Sequence, residues 1–319
     1  MEKKIINKNF PSALARENIL DKEEDGDLWL QWFIGFMDAD GSFQTFPKKR
    51  SYTSKKIGIV SEYINTGYGI HISLSDRDLP LLKEINQHLS NLVNPKIHNN
   101  FKLSGKIYTY PDREEAVLAY TKLIDIQFLI ENVFDKHPLV TLNQRKRYNL
   151  LRTGILNKIK RFDNLEGYKK FKDENSLATK YIFLIDSFSK NSNIKQELSV
   201  NFASAQGLGR REDSWMLGFI NGEGSFTVNK KGTLIFSIEH TDRASIELIK
   251  NRLELGPTIF DRGQRLYKGS LRKNNYSLGI SSKKDLNSLN NLLNNTGLIG
   301  LKGHKLIQYL NWCNQAKQT

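Results

Sequence analysis

Two carboxylates, Asp40 and Glu223, stand at the same place in a nine-residue peptide that the chain carries twice. The first copy is Gly35-Phe36-Met37-Asp38-Ala39-Asp40-Gly41-Ser42-Phe43 and the second Gly218-Phe219-Ile220-Asn221-Gly222-Glu223-Gly224-Ser225-Phe226. Five of the nine positions are identical and a sixth keeps its acid. Each acid ends an apolar helical run (Trp29, Leu30, Trp32, Phe33 and Ile34 in one copy; Trp215, Met216 and Leu217 in the other). Each precedes a glycine suited to the left-handed position that closes a helix. A carboxylate there faces an already negative macrodipole, and capping chemistry would put it at the opposite end. Acids placed against local stability, one per half, point to a shared site. Paired carboxylates beside the free carbonyls of helix ends make a hard-oxygen set suited to Mg²⁺. Two carboxylates alone also suit the acid/base pair of a glycoside hydrolase.

The elements around the acids say how they meet. Gly35 and Ala39 lie four apart, as do Gly218 and Gly222, and small residues at that spacing let two helix backbones approach closely. If the repeats pair through these faces, Asp40 and Glu223 end side by side. Downstream the halves keep one order. Alternating strands end at Tyr68–Leu74 and Leu234–His240, and the N-cap signals Ser75-Asp76-Arg77 and Thr241-Asp242-Arg243 follow. Helical patterns come next, then a second strand pair around Lys96–Tyr110 and Thr258–Ser281, then closing helices. This order predicts an α+β fold of two pseudo-symmetric αββαββα domains. Each is expected to be an antiparallel four-stranded sheet with helices on one face and a bare working face on the other. The expected boundaries are an N-terminal extension at 1–27, a first half at 28–154, a partly helical connector at 155–211 and a second half at 212–319.

The 319 residues are enough for two domains, and a hydrophobic content of 39% supports real cores. Lys and Arg number 48 against 34 acids, a net charge of +14 that favours a polyanionic partner over a membrane and weakens the glycosidase reading. Asn pairs such as Asn274-Asn275 also fit an AT-rich genome, which enriches Lys, Asn and Ile whatever the function. Cys313 is the single cysteine, so no internal disulfide forms. No histidine pair has metal-ligand spacing. The stretch up to Asp27 is too acidic for a transit peptide and lacks a secretory core.

The doubled peptide, its small-residue seam, its terminal acids and the strand order after it resemble the LAGLIDADG homing endonucleases, specifically the single-chain, two-motif, intron-encoded type. The resemblance covers roughly residues 28–154 and 212–316. It implies a saddle-shaped, Mg²⁺-dependent DNA endonuclease that acts as a monomeric pseudo-dimer on a long asymmetric site. It also implies one metal-binding acid per motif, Asp40 and Glu223, assisted by the carbonyls of Ala39 and Gly222, with Mn²⁺ or Ca²⁺ able to substitute in binding. An organellar home follows, the mitochondrion ahead of the chloroplast. Some members act as RNA maturases on their host intron, so intron RNA is an alternative partner. The family tends to carry a basic or polar residue near the start of each half's last helix. Aligning Leu298–Lys302 with Leu139–Asn143 puts Lys302 in that role, beside the reading of an ordinary solvated lysine.

Recognition falls to the strands, because a two-stranded ribbon fits the major groove with alternate residues facing base edges. Counting every second residue from the acids selects Gln44, Phe46, Lys48 and Arg50, then Thr227, Asn229 and Lys231. The paired strands offer His71 and Ser73, then Ser237 and Glu239. The outer strands offer Lys96, His98, Asn100, Lys106, Tyr108 and Tyr110, with Thr258, Phe260, Arg262, Asn275 and Ser277 as counterparts.

Overall fold

The computed structural model describes residues 13–53, 60–94, 101–176, 205–264, 266–267, 270–271 and 274–316. The first half opens with α1 (Ala13–Asp40), β1 (Gly41–Thr53), β2 (Val60–Ser75), a 3₁₀ turn and α2 (Leu79–Asn91). It continues with β3 (Lys106–Tyr110), β4 (Glu115–Tyr120), α3 (Leu123–Leu129), α4 (Leu142–Leu156), β5 (Arg161–Phe162) and α5 (Leu165–Ser176). The second half repeats the plan with α6 (Ala205–Glu223), β6 (Gly224–Val228), β7 (Leu234–His240) and α7 (Arg243–Arg252). Then come β8 (Phe260–Asp261), the short pair β9 (Leu266–Tyr267) and β10 (Ser270–Leu271), β11 (Tyr276–Ile280), α8 (Lys283–Leu293) and α9 (Gly303–Ala316).

Both sheets are antiparallel and share one topology, β1-β2-β4-β3 in the first half and β6-β7-β11-β8 in the second. Their side chains divide with period two, as the pleat requires. Phe43, Ile70, Ile72, Leu118 and Tyr120 are buried under the helices, as are Phe226, Phe236, Ile238, Leu278 and Ile280 in the second sheet. The residues between them lie on the opposite, more open face. From Leu28 to Met37, α1 is buried almost all round, because it is wedged between its own sheet and α6. Trp32 stacks on Phe36 at 5.3 Å, and Trp215 on Phe219 at 5.0 Å. One continuous apolar core joins the two halves through these helices.

Three expectations need correction. The second strand pair of the first half is β3 and β4, so a strand from 115 to 120 was missed. Glu114, Glu115, Ala116 and Leu118 favour helix, but burial of every second residue overrides that propensity. The turn ahead of it holds Glu114 at φ 50°. The first half also does not end at 154. β5 pairs with β2, the Tyr68 hydroxyl donates to the Ile159 carbonyl at 2.6 Å, and the Tyr168 hydroxyl donates to the Thr45 carbonyl at 2.7 Å. The first sheet therefore has a fifth, two-residue strand. Finally, α1 begins at Ala13, inside the stretch expected to be an extension. The apolar run 181–185, expected to pack on the first half, lies outside the described residues. No helix among the described residues is long and apolar enough to cross a membrane.

Candidate active site

Asp40 is the last residue of α1 and Glu223 the last of α6, and each hands the chain directly to a strand through Gly41 or Gly224. Neither glycine is left-handed as expected, and a Cβ at either would instead strike the Met37 or Ile220 carbonyl of the helix before it. Close approach of the two helices brings them together. A Cβ on Gly35 would overlap the Trp215 carbonyl, and one on Gly218 the Trp32 carbonyl. A Cβ on Gly222 would press on the methyl of Ala39 and come within 2.8 Å of Asp40 Oδ2. Only hydrogen at positions 35, 218 and 222 permits this seam.

The site is desolvated and crowded with charge. Burial raises Asp40 to about 6, with Lys305 pulling it down and Asp78 pushing it up. Glu223 is raised to about 8, first by burial and then by the charge of Asp40, while Lys305 opposes and Glu239 adds to the rise. Burial lowers Lys305, and the three acids Asp40, Glu223 and Asp78 work against that. The Lys305 ammonium donates to the Gly224 carbonyl. In the other half Gln144 Nε2 donates to the Gly41 carbonyl at 2.5 Å. A cleft of about 210 Å³ opens beside Asp40, lined in part by Arg77, Asp78, His304, Lys305 and Gln308.

Two further layers hold these side chains. Asp38, fully buried, accepts from Val140 N at 2.8 Å, Thr141 N at 2.9 Å, Thr141 Oγ1 at 2.8 Å and Trp215 Nε1 at 2.9 Å. Burial still raises it to about 6 against those bonds. Its counterpart Asn221 accepts from Lys302 N at 2.6 Å. Each motif helix thus pins the residue just ahead of a later helix of its own half, Thr141 before α4 and Lys302 before α9. The halves also cap each other. Asp78 accepts from His304 N at 2.7 Å at the start of α9, and Asp242 from Leu142 N at 2.8 Å at the start of α4. Carboxylates at these positive helix ends are favourably placed.

On the open face of the first sheet, register aligns Ser42, His71, Ala119 and Lys106 in one row, and Ser73, Val117 and Tyr108 in the next. Phe46 lies flat over Gly67, where a Cβ would come within 2.6 Å of the ring. Lys48 Nζ sits 4.9 Å from the Phe46 centroid. Arg50 is exposed, and Tyr108 and Tyr110 are 43% and 41% exposed. Gln44 shares their face, while Lys96, His98 and Asn100 lie outside the described residues. On the second sheet, Thr227 and Ser237 share the open face. Glu239, Ser277 and Phe260 form a row across it. Arg262 Nη2 lies 2.5 Å from Glu239 Oε1, Arg262 Nε donates to Ser277 Oγ at 3.0 Å, and Asn275 Nδ2 donates to Glu239 Oε2 at 3.1 Å. Thr258 stands in the loop ahead of β8.

The LAGLIDADG endonuclease family model matches residues 33–153, and solved meganucleases of that name share the two-domain single-chain layout. That match is to the first of the two repeats, and the second repeat carries the same helix-acid-glycine-strand order. Among solved structures, the I-LtrWI LAGLIDADG homing endonuclease bound to target DNA is 20% identical, with a TM-score of 0.54 over 92% of each chain. I-SmaMI bound to uncleaveable DNA is 20% identical, with a TM-score of 0.56 over 89% of this chain and 87% of that one. These likenesses carry the fold. "Probable intron-encoded endonuclease aI3" of Kluyveromyces lactis is 23% identical over 88% of this chain. "Uncharacterized mitochondrial protein RF1" of Saccharomyces cerevisiae is 24% identical over 89% of it. The chain spans 63% and 53% of the lengths of these two curated relatives.

Lys302 is not at the acids, where alignment with Asn143 places it. Its ammonium lies 2.6 Å from Glu84 Oε1 and 5.8 Å from the Trp32 centroid. The cause is a two-residue slip. The structure matches Lys302 to Thr141, since both backbone N–H groups are taken by a motif-helix side chain. In that register Lys305 matches Gln144, and both reach the glycine carbonyl after the acid. The sequence reading missed Lys305, Gln144, Asp38 and Asn221, although a polar pair inside two apolar helices, Asp38 and Asn221, was the visible signal. Asn229 is also recast, because its Oδ1 accepts from Lys231 N and Thr233 N, both at 2.9 Å, and shapes the hairpin tip. Of the two expected N-caps, that at Ser75 is absent, and Asp242 caps its own helix at 3.3 Å from Ala244 N.

Proposed function

We propose that the chain is a site-specific double-strand DNA endonuclease of the intron-homing type, dependent on Mg²⁺ and active as a monomer whose two halves take the two halves of one long asymmetric site. One observation carries this reading. Two half-buried, mutually repelling carboxylates, Asp40 and Glu223, meet where β1 and β6 leave the helix seam, at the inner ends of two sheets with open faces. The relatives support it in kind, because one is named an intron-encoded endonuclease and the solved structures hold DNA targets. They favour DNA cleavage over the maturase alternative.

A divalent cation fits this donor set. Burial and proximity hold both acids above the ordinary carboxylate range, a state that a cation relieves. The oxygens are hard, as Mg²⁺ prefers. Two acids and two carbonyls leave room in a six-oxygen shell, which phosphodiester oxygens and water would fill. Asp40, Glu223 and the helix-end carbonyls of Ala39 and Gly222 would hold the ion, with Ca²⁺ or Mn²⁺ able to occupy the same oxygens; one solved I-SmaMI complex contains Ca²⁺ with uncleaved DNA. When bound, the ion supplies an activated water and stabilises a leaving oxygen. Lys305 sets a cation against both acids and the incoming phosphate. Gln144 offers only a hydrogen bond, so the two strands meet unequal machinery. A relative named mitochondrial and another named intron-encoded support a mitochondrial home for the gene and its action.

The test is a randomised duplex library incubated with Mg²⁺, with the cut ends sequenced. One long asymmetric site should emerge, cut on both strands with short 3′ overhangs. Asp40→Asn and Glu223→Gln should each abolish the double-strand break while retaining most DNA affinity, because binding rests on phosphate and base contacts elsewhere. Near-normal cutting by either variant would refute the shared site.

A further inference from the structure

We infer that Arg262 selects a guanine at the innermost position of the half-site met by the second sheet, and that Glu239 holds it ready to do so; this rests on the DNA reading above. The guanidinium is fixed before any partner arrives. Nη2 is paired with Glu239 at 2.5 Å and Nε is bonded to Ser277 at 3.0 Å. The Arg262 backbone N donates to the Asn275 carbonyl at 2.8 Å, which extends the β8–β11 ladder by one bond. A side chain so tethered has given up its rotamer freedom in advance and loses little on binding. Phosphate contacts do not need such a brace.

The chemistry of the remaining donors names the base. A guanidinium carries five N–H donors and no acceptor. Two are engaged here, which leaves both on Nη1 and one on Nη2. Guanine alone presents two adjacent acceptors, N7 and O6, in the major groove, whereas adenine pairs an acceptor with a donor and cytosine shows a donor. Glu239 is not itself the reader, because its second oxygen is bonded to Asn275 at 3.1 Å.

Register fixes the position. Ile238 pairs with Gly224, so Glu239 sits level with the end of α6, and its charge reaches Glu223. The hairpin tip at Asn229–Thr233 is the far end of the same ribbon. The guanine is therefore the base pair nearest the cut bonds in that half. In the first sheet Ile72 pairs with Gly41, so Ser73 stands where Glu239 does, beside Val117 and Tyr108. Among the described residues no equivalent brace stands there.

Binding selection from randomised duplexes in Ca²⁺, which needs no cleavage, tests this. Wild type should enrich guanine at one inner position of the second half-site. Arg262→Ala and Arg262→Lys should lose that preference and keep all others, since lysine lacks the planar fork. Replacing that guanine by 7-deazaguanine should weaken wild type on the order of tenfold and leave Arg262→Ala indifferent. Glu239→Gln, which keeps a hydrogen bond but not the ion pair, should soften the preference without abolishing it. Melting curves establish that each variant is folded. Selection of the same guanine by Arg262→Ala, or an equal loss on every sequence, overturns the inference and leaves the endonuclease reading standing. Absence of any selected sequence for wild type overturns both.

Discussion

At the scale of single residues, the site is defined by carboxylates kept from water. Glu223 carries the larger burden, because it is largely desolvated and also faces Asp40. That makes the metal-free protein's stability depend on pH with a definite sign. A folded-state acid raised above its unfolded value contributes stability that is complete below the unfolded pKa and is lost as pH climbs to the folded one. For Glu223 the window runs from about 4.5 to about 8. Asp38 and Asp40 act the same way but finish near 6. The histidines His71, His88, His137 and His240 are lowered by burial and act oppositely, below their ordinary 6.5. Glu212, also raised by burial, acts with Glu223, while Lys305, lowered by burial, opposes both at higher pH. Between about pH 6.5 and 8 the loss with the widest window is that of Glu223. In chelator, wild type should lose stability there at up to about 1.4 kcal/mol per pH unit, while Glu223→Gln stays nearly flat. Added Mg²⁺, which binds the charged form, should restore the wild type at about pH 8. Parallel denaturant titrations of the two proteins across this window check this, and equal slopes would contradict it.

At the scale of elements, the seam between α1 and α6 is the device that turns two sequence repeats into one site. Replacing Gly218 with Leu would drive a side chain into the Trp32 carbonyl. Overpacking of this kind costs about 1–3 kcal/mol or more, and the displaced helix ends carry both acids with them. The expected outcome is a lower melting temperature with a loss of cleavage greater than the loss of DNA binding. An unchanged melting temperature with normal cutting would remove the glycines from the interface. This seam was legible in the sequence because glycine and alanine four apart strip one face of an apolar helix of bulk, which suits that face to a second backbone. The strand parity was legible for a similar reason, since Phe43, Ile70, Ile72, Phe236 and Ile238 alternate with polar neighbours. What escaped reading depends on contacts between distant segments. β4 looks like helix until its alternate side chains find a core, and Lys305 gains its meaning only once Asn221 has fixed where α9 begins.

At the scale of the whole molecule, the halves share a topology but not a reach. β1 and β2 run for 13 and 16 residues, β6 and β7 for 5 and 7. At roughly 3.3 Å per residue, the paired length of the first ribbon is about 43 Å and that of the second about 16 Å. The first also carries Lys48, Lys49 and Arg50 at exposed positions. Footprinting of a single bound chain should therefore protect a longer half-site on the Asp40 side. Affinity should fall steeply with salt as lysine and arginine contacts release counterions, on the order of a hundredfold or more between 50 and 200 mM. A symmetric footprint, or cleavage that requires a stable homodimer, would contradict the reading. The reciprocal caps bear on how such a chain diversifies. Asp78 and Asp242 are side-chain acceptors, but each takes its hydrogen from a main-chain N–H, which every residue except proline supplies. At these two caps each half therefore asks its companion for a helix that starts in the right place, leaving the residue-specific demands to the seam glycines and to the Trp215–Asp38 and Lys302–Glu84 pairs. Recombination that trades one half for a cousin's would keep this handshake intact, leaving the two recognition surfaces free to drift independently toward new targets.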